Sequence, residues 1–407
     1  MDTDKPLISL MNAAYQNSWK KTNWANHDAM LIYTSGTTSK PKGVAVTHAN
    51  LHAQVENMVD AWEWTDDDII LHTLPLHHVH GITNCLATPL YCGATCVMMP
   101  KFDARKVWTR LLSDQNPRIN IFMAVPTIYA KLIEYYNQTY QSPKVRDFIR
   151  GFCKENIRLM VSGSAALPAP VMAKWEEITG HVLLERYGMT EIGMALTNSL
   201  HGPRIPGAVG NPFPSVELQI VDGDGRVLAT GSGANGTAVT QGMEEKAGEL
   251  YVRGPSVFTK YWRRPTITVK SFTTDGWFKT GDTAVYQDGV YRILGRDIDI
   301  IKSGGYKISA LEIERHLLAN EKIKECVAFG LPDSMWGERV AVVAVLHEGE
   351  SLTLMELKTW AADKLAHYKI PSVLECVDEI PKNAMGKVNK KEVRTLLFPE
   401  ENQNTPL

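Results

Sequence analysis

The chain of 407 residues predicts an α/β large domain, with sheets flanked by helices and a β-rich subdomain, followed by a smaller α+β C-terminal domain. Three textures predict it. From Ala29 to about Asn211, short apolar runs alternate with stretches of helical period, as in a sheet covered by helices. Over 212–296 the segments shorten, alternate and are broken by glycines, which reads as β-rich. From about residue 298 the texture changes again, to a helix, two strands and a second helix.

Residues 1–28 are polar and aromatic without clear periodicity and read as an N-terminal extension. The large domain is set at 29–297. Its first strand opens on the β-prone run Met30-Leu31-Ile32-Tyr33, and the apolar segments 69–75, 94–99, 119–125 and 157–161 read as further strands. Segments 106–113 and 127–136 read as helices. In the subdomain, about 212–296, the strands are 216–221, 248–252 and 289–294, and the polar, glycine-rich 222–246 between them is expected to be a surface loop. The small domain, 298–395, holds helices at 310–318 and 354–365 and strands at 325–330 and 340–347, and 396–407 is a polar tail.

A formal net charge of −2 argues for neither a nucleic-acid surface nor a membrane-attracting face. No apolar run approaches the ~18 residues of a membrane span. The start Met1-Asp2-Thr3-Asp4-Lys5-Pro6 is neither a secretory signal nor an Arg-rich transit peptide. Six cysteines in mostly apolar surroundings read as free thiols of an intracellular protein.

The loop Ser35-Gly36-Thr37-Thr38-Ser39-Lys40-Pro41-Lys42-Gly43 leaves the first strand. Its hydroxyls, backbone N–H groups and two ammonium groups supply the short donors and positive charge a polyphosphate needs. It is not a Walker A loop, because Pro41 stands five residues after Gly36. Taken alone, it reads equally well as a solvated loop.

Further segments carry chemistry of their own. Small residues in Ser162-Gly163-Ser164-Ala165-Ala166 let backbone approach a flat ring closely. Glu191, in Tyr187-Gly188-Met189-Thr190-Glu191, suits a hard cation that bridges phosphates. Asp282, expected to end a strand in Trp277-Phe278-Lys279-Thr280-Gly281-Asp282, can accept from two neighbouring hydroxyls. A lysine on a loop such as Pro381-Lys382-Asn383-Ala384-Met385-Gly386-Lys387-Val388 can stabilise negative charge in a transition state. Each also has a plainer reading: a glycine turn, a strand–helix turn, a solvated Arg296, a basic patch.

In this order the segments resemble the motifs of the adenylate-forming superfamily of acyl-CoA synthetases, luciferases and peptide-synthetase adenylation domains, from about Asp28 to about Lys391. The resemblance implies that superfamily's fold with a mobile C-terminal lid, and ATP, Mg²⁺ and CoA as reactants. It implies phosphate binding by Ser35, Gly36, Thr37, Thr38, Ser39, Lys40, Pro41, Lys42 and Gly43. It places Gly163, Ser164 and Ala165 on the adenine side, with Tyr187 packed by the ring and Gly188 beside it. Thr190 contacts phosphate and Glu191 holds Mg²⁺, Asp282 takes the ribose hydroxyls, Arg296 contacts ribose or phosphate, and Lys387 is the catalytic lysine. Lys307, in Ile301-Lys302-Ser303-Gly304-Gly305-Tyr306-Lys307, belongs to the loop that replaces the lysine loop for thioester formation. The swing is implied to turn about Ile298, where the family commonly has Asp or Lys. Ser39 stands where the family has glycine, and a positive φ there would cost ~1 kcal/mol. About thirty residues precede the loop, far fewer than in the family. The large domain is therefore expected to lack part of its sheets, leaving unpaired strand edges and an exposed apolar face.

Leu74-Pro75-Leu76-His77-His78-Val79-His80-Gly81, with Cys85, Cys92 and Cys96 beyond, matches no common zinc spacing. Its resemblance puts His78 at the acyl pocket. Arg186, just before the Tyr-Gly-Met-Thr-Glu segment, can clamp a distal carboxylate bidentately or pair with its neighbour Glu185. Segments 74–81, 122–129 and 184–194 are closely similar to the malonyl-CoA synthetases of that superfamily. This implies malonate or methylmalonate as the acid and the mitochondrial matrix as the compartment, the cytoplasm staying open because no import sequence is seen. A fatty or aryl acid, and a nucleotide-binding fragment without turnover, stay open beside it, as does the oligomeric state.

Overall fold

Short apolar runs in the first half pair into a seven-stranded sheet ordered Thr95–Met98, Ile69–His72, Ile121–Ala124, Leu159–Ser162, Leu184–Met189, Gly193–Thr197 and Asn211–Pro212. The first five strands are parallel and the last two antiparallel. The structure is a computed structural model describing residues 24–34, 41–296, 299–304, 306–382 and 388–399, with the Lys307 side chain outside that set. The expectations for Ser35, Gly36, Thr37, Thr38, Ser39 and Lys40, for Ile298 and for Lys387 thus lie outside the described residues, as does most of the N-terminal extension.

The strands read as near-continuous apolar runs because both faces of the sheet are buried. Successive side chains point to opposite faces, so Ile121, Met123, Leu159 and Val161 join one core. Phe122, Ala124 and Met160 join the other. That second core is roofed by helices Ala104–Leu111, Pro126–Thr139, Pro143–Asn156 and Ala169–Thr179 through Trp108, Leu132, Ile149 and Trp175. The first is covered by helix His48–Trp62, through Met58 and Trp62, and by a six-stranded antiparallel sheet.

The order of that sheet is Gly236–Val239, Val227–Ser232, Glu217–Val221, Gly248–Arg253, Phe278–Gln287 and Val290–Arg296. Two expectations are corrected here. Segment 222–246 is not a plain surface loop: Val227–Ser232 and Gly236–Val239 form a hairpin, in which Leu228 and Ala229 are buried. Its many glycines and polar residues are turn and solvent-face positions. Asp282 does not end a strand but sits inside Phe278–Gln287, opposite Arg296 in the antiparallel register.

A three-stranded sheet of Asp28–Thr34, Lys42–Thr47 and Lys260–Tyr261 holds the described end of the 35–43 loop. Among the described residues Asp28–Thr34 is an edge strand with Leu31 and Tyr33 exposed, and Thr95–Met98 is an open edge of the large sheet. Thr47 caps the following helix in a capping box with Asn50. Asn50 Nδ2 donates to the carbonyls of Pro255 (2.8 Å) and Val257 (2.9 Å), and Gln54 Nε2 to that of Ser256 (2.9 Å).

The C-terminal part builds a mixed five-stranded sheet from Ile300–Ser303, Tyr306–Ser309, Ile323–Asp333, Gly337–Leu346 and Val373–Cys376. Helices Ala310–Leu317 and Leu354–Ala361 pack on one face and Lys390–Leu397 on the other. Among the described residues no helix is long and apolar enough to cross a membrane.

Candidate active site

The first group of candidate side chains gathers at the C-terminal ends of the parallel strands, where open α/β sheets commonly bind ligands. Leu159–Ser162 ends in Gly163 and Ser164, the latter at φ +69°. The neighbouring strand carries Arg186. Gly163 is required by close approach: a Cβ there would stand 2.5 Å from the Arg186 Cζ. Arg186 is 4% exposed, and burial lowers its pKa to about 10. Its Nε and Nη2 have no partner. Glu185, one residue earlier, points to the other face and is not that partner: its carboxylate accepts from the N–H groups of Leu167 (3.2 Å) and Gly207 (3.0 Å).

His80, buried at the start of the short π-helix His80–Ala87, sets its Nδ1 3.0 Å from Ser164 Oγ. Burial first, and Arg186 second, hold its pKa well below the ordinary histidine value, so the ring is neutral. Its Nε2 is unpaired, as are Thr83 Oγ1 and both amide atoms of Asn84 on the same helix. Buried polar atoms without partners cost about 1–3 kcal/mol each, so this cluster is a candidate ligand site.

A second group forms where the turn after Leu184–Met189 meets the three-stranded sheet. Glu191 is 3% exposed; its Oε1 accepts from Tyr261 Oη (2.9 Å) and its Oε2 is unpaired. Lys42 Nζ sits 4.5 Å above the Tyr261 ring and 3.5 Å from its hydroxyl. Burial raises the Glu191 pKa, opposed by the Tyr261 hydroxyl and then by Lys42 and Arg296. A buried carboxylate oxygen without a donor fits a hard cation such as Mg²⁺. Third, the Tyr187 hydroxyl donates to Asp282, whose Oδ1 is 3.4 Å from Arg296 Nε.

Residues 3–262 match the AMP-binding enzyme family and residues 312–387 match its C-terminal domain. This chain belongs to the AMP-binding enzymes. It is 58% identical to "Malonate--CoA ligase ACSF3, mitochondrial" of Bos taurus, over 93% of this chain and 66% of that one. The fold is similar to ATP-bound MatB from Rhodopseudomonas palustris, at TM-score 0.78 and 34% identity, covering 91% of this chain and 68% of that one. A malonyl-CoA ligase in ternary product complex with methylmalonyl-CoA and AMP superposes at TM-score 0.57 and 36% identity, covering 88% and 72%. The chain spans about two thirds of the length of the curated relatives it matches.

Within this AMP-binding enzyme, the fold brings Gly163, Ser164 and Arg186 into one group and Tyr187, Asp282 and Arg296 into another. Lys42 and Glu191 meet only through Tyr261. Ala165 and Pro41 are exposed, Gly43 lies opposite Tyr33 in the paired strands, Gly188 lies near the end of its strand, and Thr190 is half-buried in the turn after it. His78 is half-buried with its ring 4.5 Å from that of His77. Lys307 pairs with Lys302 in the hairpin of the small domain. Sequence reasoning missed His80 and Tyr261. His80 lay among four histidines with nothing to rank it; Tyr261 is about seventy residues from Glu191, and only strand pairing with Lys42–Thr47 brings it in.

Proposed function

We propose that this chain is an acid–thiol ligase that activates malonate or methylmalonate with ATP, through an acyl-adenylate, and passes the acyl group to CoA. The observation that carries the choice of acid is Arg186, a buried guanidinium with two unpaired nitrogens beside a neutral histidine. An unpaired buried cation is costly. The distal carboxylate of a short dicarboxylate relieves that cost and leaves the other carboxylate free to react. A fatty acid offers it nothing. The name of the bovine relative and the methylmalonyl-CoA in the solved ligase complex support the same choice.

In the first half-reaction a carboxylate oxygen attacks the α-phosphorus of ATP and pyrophosphate leaves. In the second the CoA thiolate attacks the acyl carbon and AMP leaves. Lys42 and the loop before it hold the phosphates, and Asp282 exchanges its present partners Tyr187 and Arg296 for the ribose hydroxyls. Lys387 stabilises the charge that develops as carboxylate meets phosphate. Glu191, with Thr190 alongside, would hold Mg²⁺, which would neutralise phosphate charge. The lid boundary at 297–299, between the two family matches, and a mitochondrial location, after the relatives' names, belong to the same reading.

Incubating the chain with ATP, Mg²⁺, CoA and a panel of acids tests this. Pyrophosphate and thioester should appear with malonate or methylmalonate. Release with fatty or aryl acids alone overturns the choice of acid, and no release with any acid overturns the activity.

A further inference from the structure

Strand Leu184–Met189 has a second face. While Arg186 turns towards the acyl site, the Glu185 carboxylate turns away, 5% exposed, and accepts from Leu167 and from Gly207. Gly207 is at φ +73°, and a Cβ on it would collide with the guanidinium of Arg315. Arg315 belongs to helix Ala310–Leu317 of the C-terminal domain, so a side chain of the small domain lies on the large domain directly behind the acyl site.

The seat is built from several sides. Ser309, the cap of that helix, donates its hydroxyl to the carbonyl of Leu294 in the large domain. Leu311 packs at Gly295, next to Arg296. Arg292, on the same strand as Leu294, donates to Pro206 O (3.2 Å) and so holds the loop that presents Gly207. Arg315 is half-buried, with its Nε lacking a partner. Glu185 and then Glu312 attract it, while Arg292 repels it.

We propose that Arg315 is a positioning residue: seated on Gly207 and drawn electrostatically by Glu185, it docks the C-terminal domain in the orientation that serves adenylation. The inference rests on the adenylation reading. The chain as a whole superposes at TM-score 0.78 on the ATP-bound relative, 0.70 on the apo form of that relative and 0.57 on the ligase holding methylmalonyl-CoA and AMP, so the arrangement that carries this contact is most similar to the ATP-bound one of the three. Two neighbours on one strand then face the two requirements of the first step, Arg186 the acid and Glu185 the lid.

Two measurements on the full chain test it. In Arg315→Ala, malonate-dependent ATP–pyrophosphate exchange should fall about tenfold, while thioester formation from supplied malonyl-adenylate and CoA holds. Arg315→Lys should recover part of the loss, and adding Glu185→Gln to Arg315→Ala should cost little more. Equal loss in both half-reactions, or none, overturns the orientation claim. Hydrogen exchange needs no turnover: Arg315→Ala should speed exchange around Gly207 and Leu294 and leave the small-domain strand Ile323–Asp333 unchanged. Unchanged exchange at Gly207 overturns the docking. The functional reading is judged separately, on the acid panel with the unsubstituted chain.

Discussion

Arg186 is a cation kept from water by its own fold, and its neighbours decide what it can do. Arg186→Ala should cut kcat/KM for malonate by about 10²–10³, the effect of removing a buried charge partner, and leave acetate activation little changed. Unchanged malonate-to-acetate selectivity would remove Arg186 from the acyl site. Gly163→Ala, whose Cβ would press on the guanidinium, should lose the same selectivity without lowering the melting temperature by more than a few degrees. Glu185 yields a prediction about pH. Burial raises its pKa to about 7, against the pull of the Leu167 and Gly207 N–H groups, Arg315 and Arg292. The folded state therefore keeps this proton to higher pH than the unfolded state does, and stability falls as pH rises from about 4.5 to above 7. Glu185→Gln should flatten that slope in thermal melts between pH 5 and pH 8, and an unchanged slope would assign it to other groups.

At the scale of elements, pairing does what spacing along the chain could not show. The resemblance put Asp282 and Arg296 near the same ribose, and the antiparallel register sets them opposite each other. The hairpin at 227–239 was hidden because its turns and solvent face are made of glycine and polar residues, the same composition as a loop. The strands at 121–124 and 159–162 were legible because burial on both faces demands unbroken apolar runs. Helix His48–Trp62 adds a support that no motif announced: Asn50 and Gln54 hold the 255–257 segment, whose neighbour Phe258 donates to the Glu191 carbonyl (2.8 Å). Asn50→Ala leaves two carbonyls unpaired and should cost about 2 kcal/mol of stability. It should also raise the Mg²⁺ concentration needed for half-maximal adenylation. A stability loss with no change in Mg²⁺ dependence would confine Asn50 to folding.

For the whole molecule, the proposed function divides the two half-reactions between two loops of the small domain. Lys387→Ala should abolish pyrophosphate exchange yet spare thioester formation from supplied acyl-adenylate, and equal loss in both would refute the assignment. The sequence by itself determined the family: the order of motifs from Ser35 to Lys387 resembles the adenylate-forming enzymes, and both family matches bear that resemblance out. It also determined the class of the fold, since periodicity reports which faces are buried. Only the tertiary structure decided which groups act together. His80 became the neutral partner of Ser164, Tyr261 the link between Lys42 and Glu191, and Arg315 the contact behind Arg186. The reason is physical: these relations rest on burial and on contacts between segments far apart in the chain, where a residue's charge state and partners are set by what packs against it.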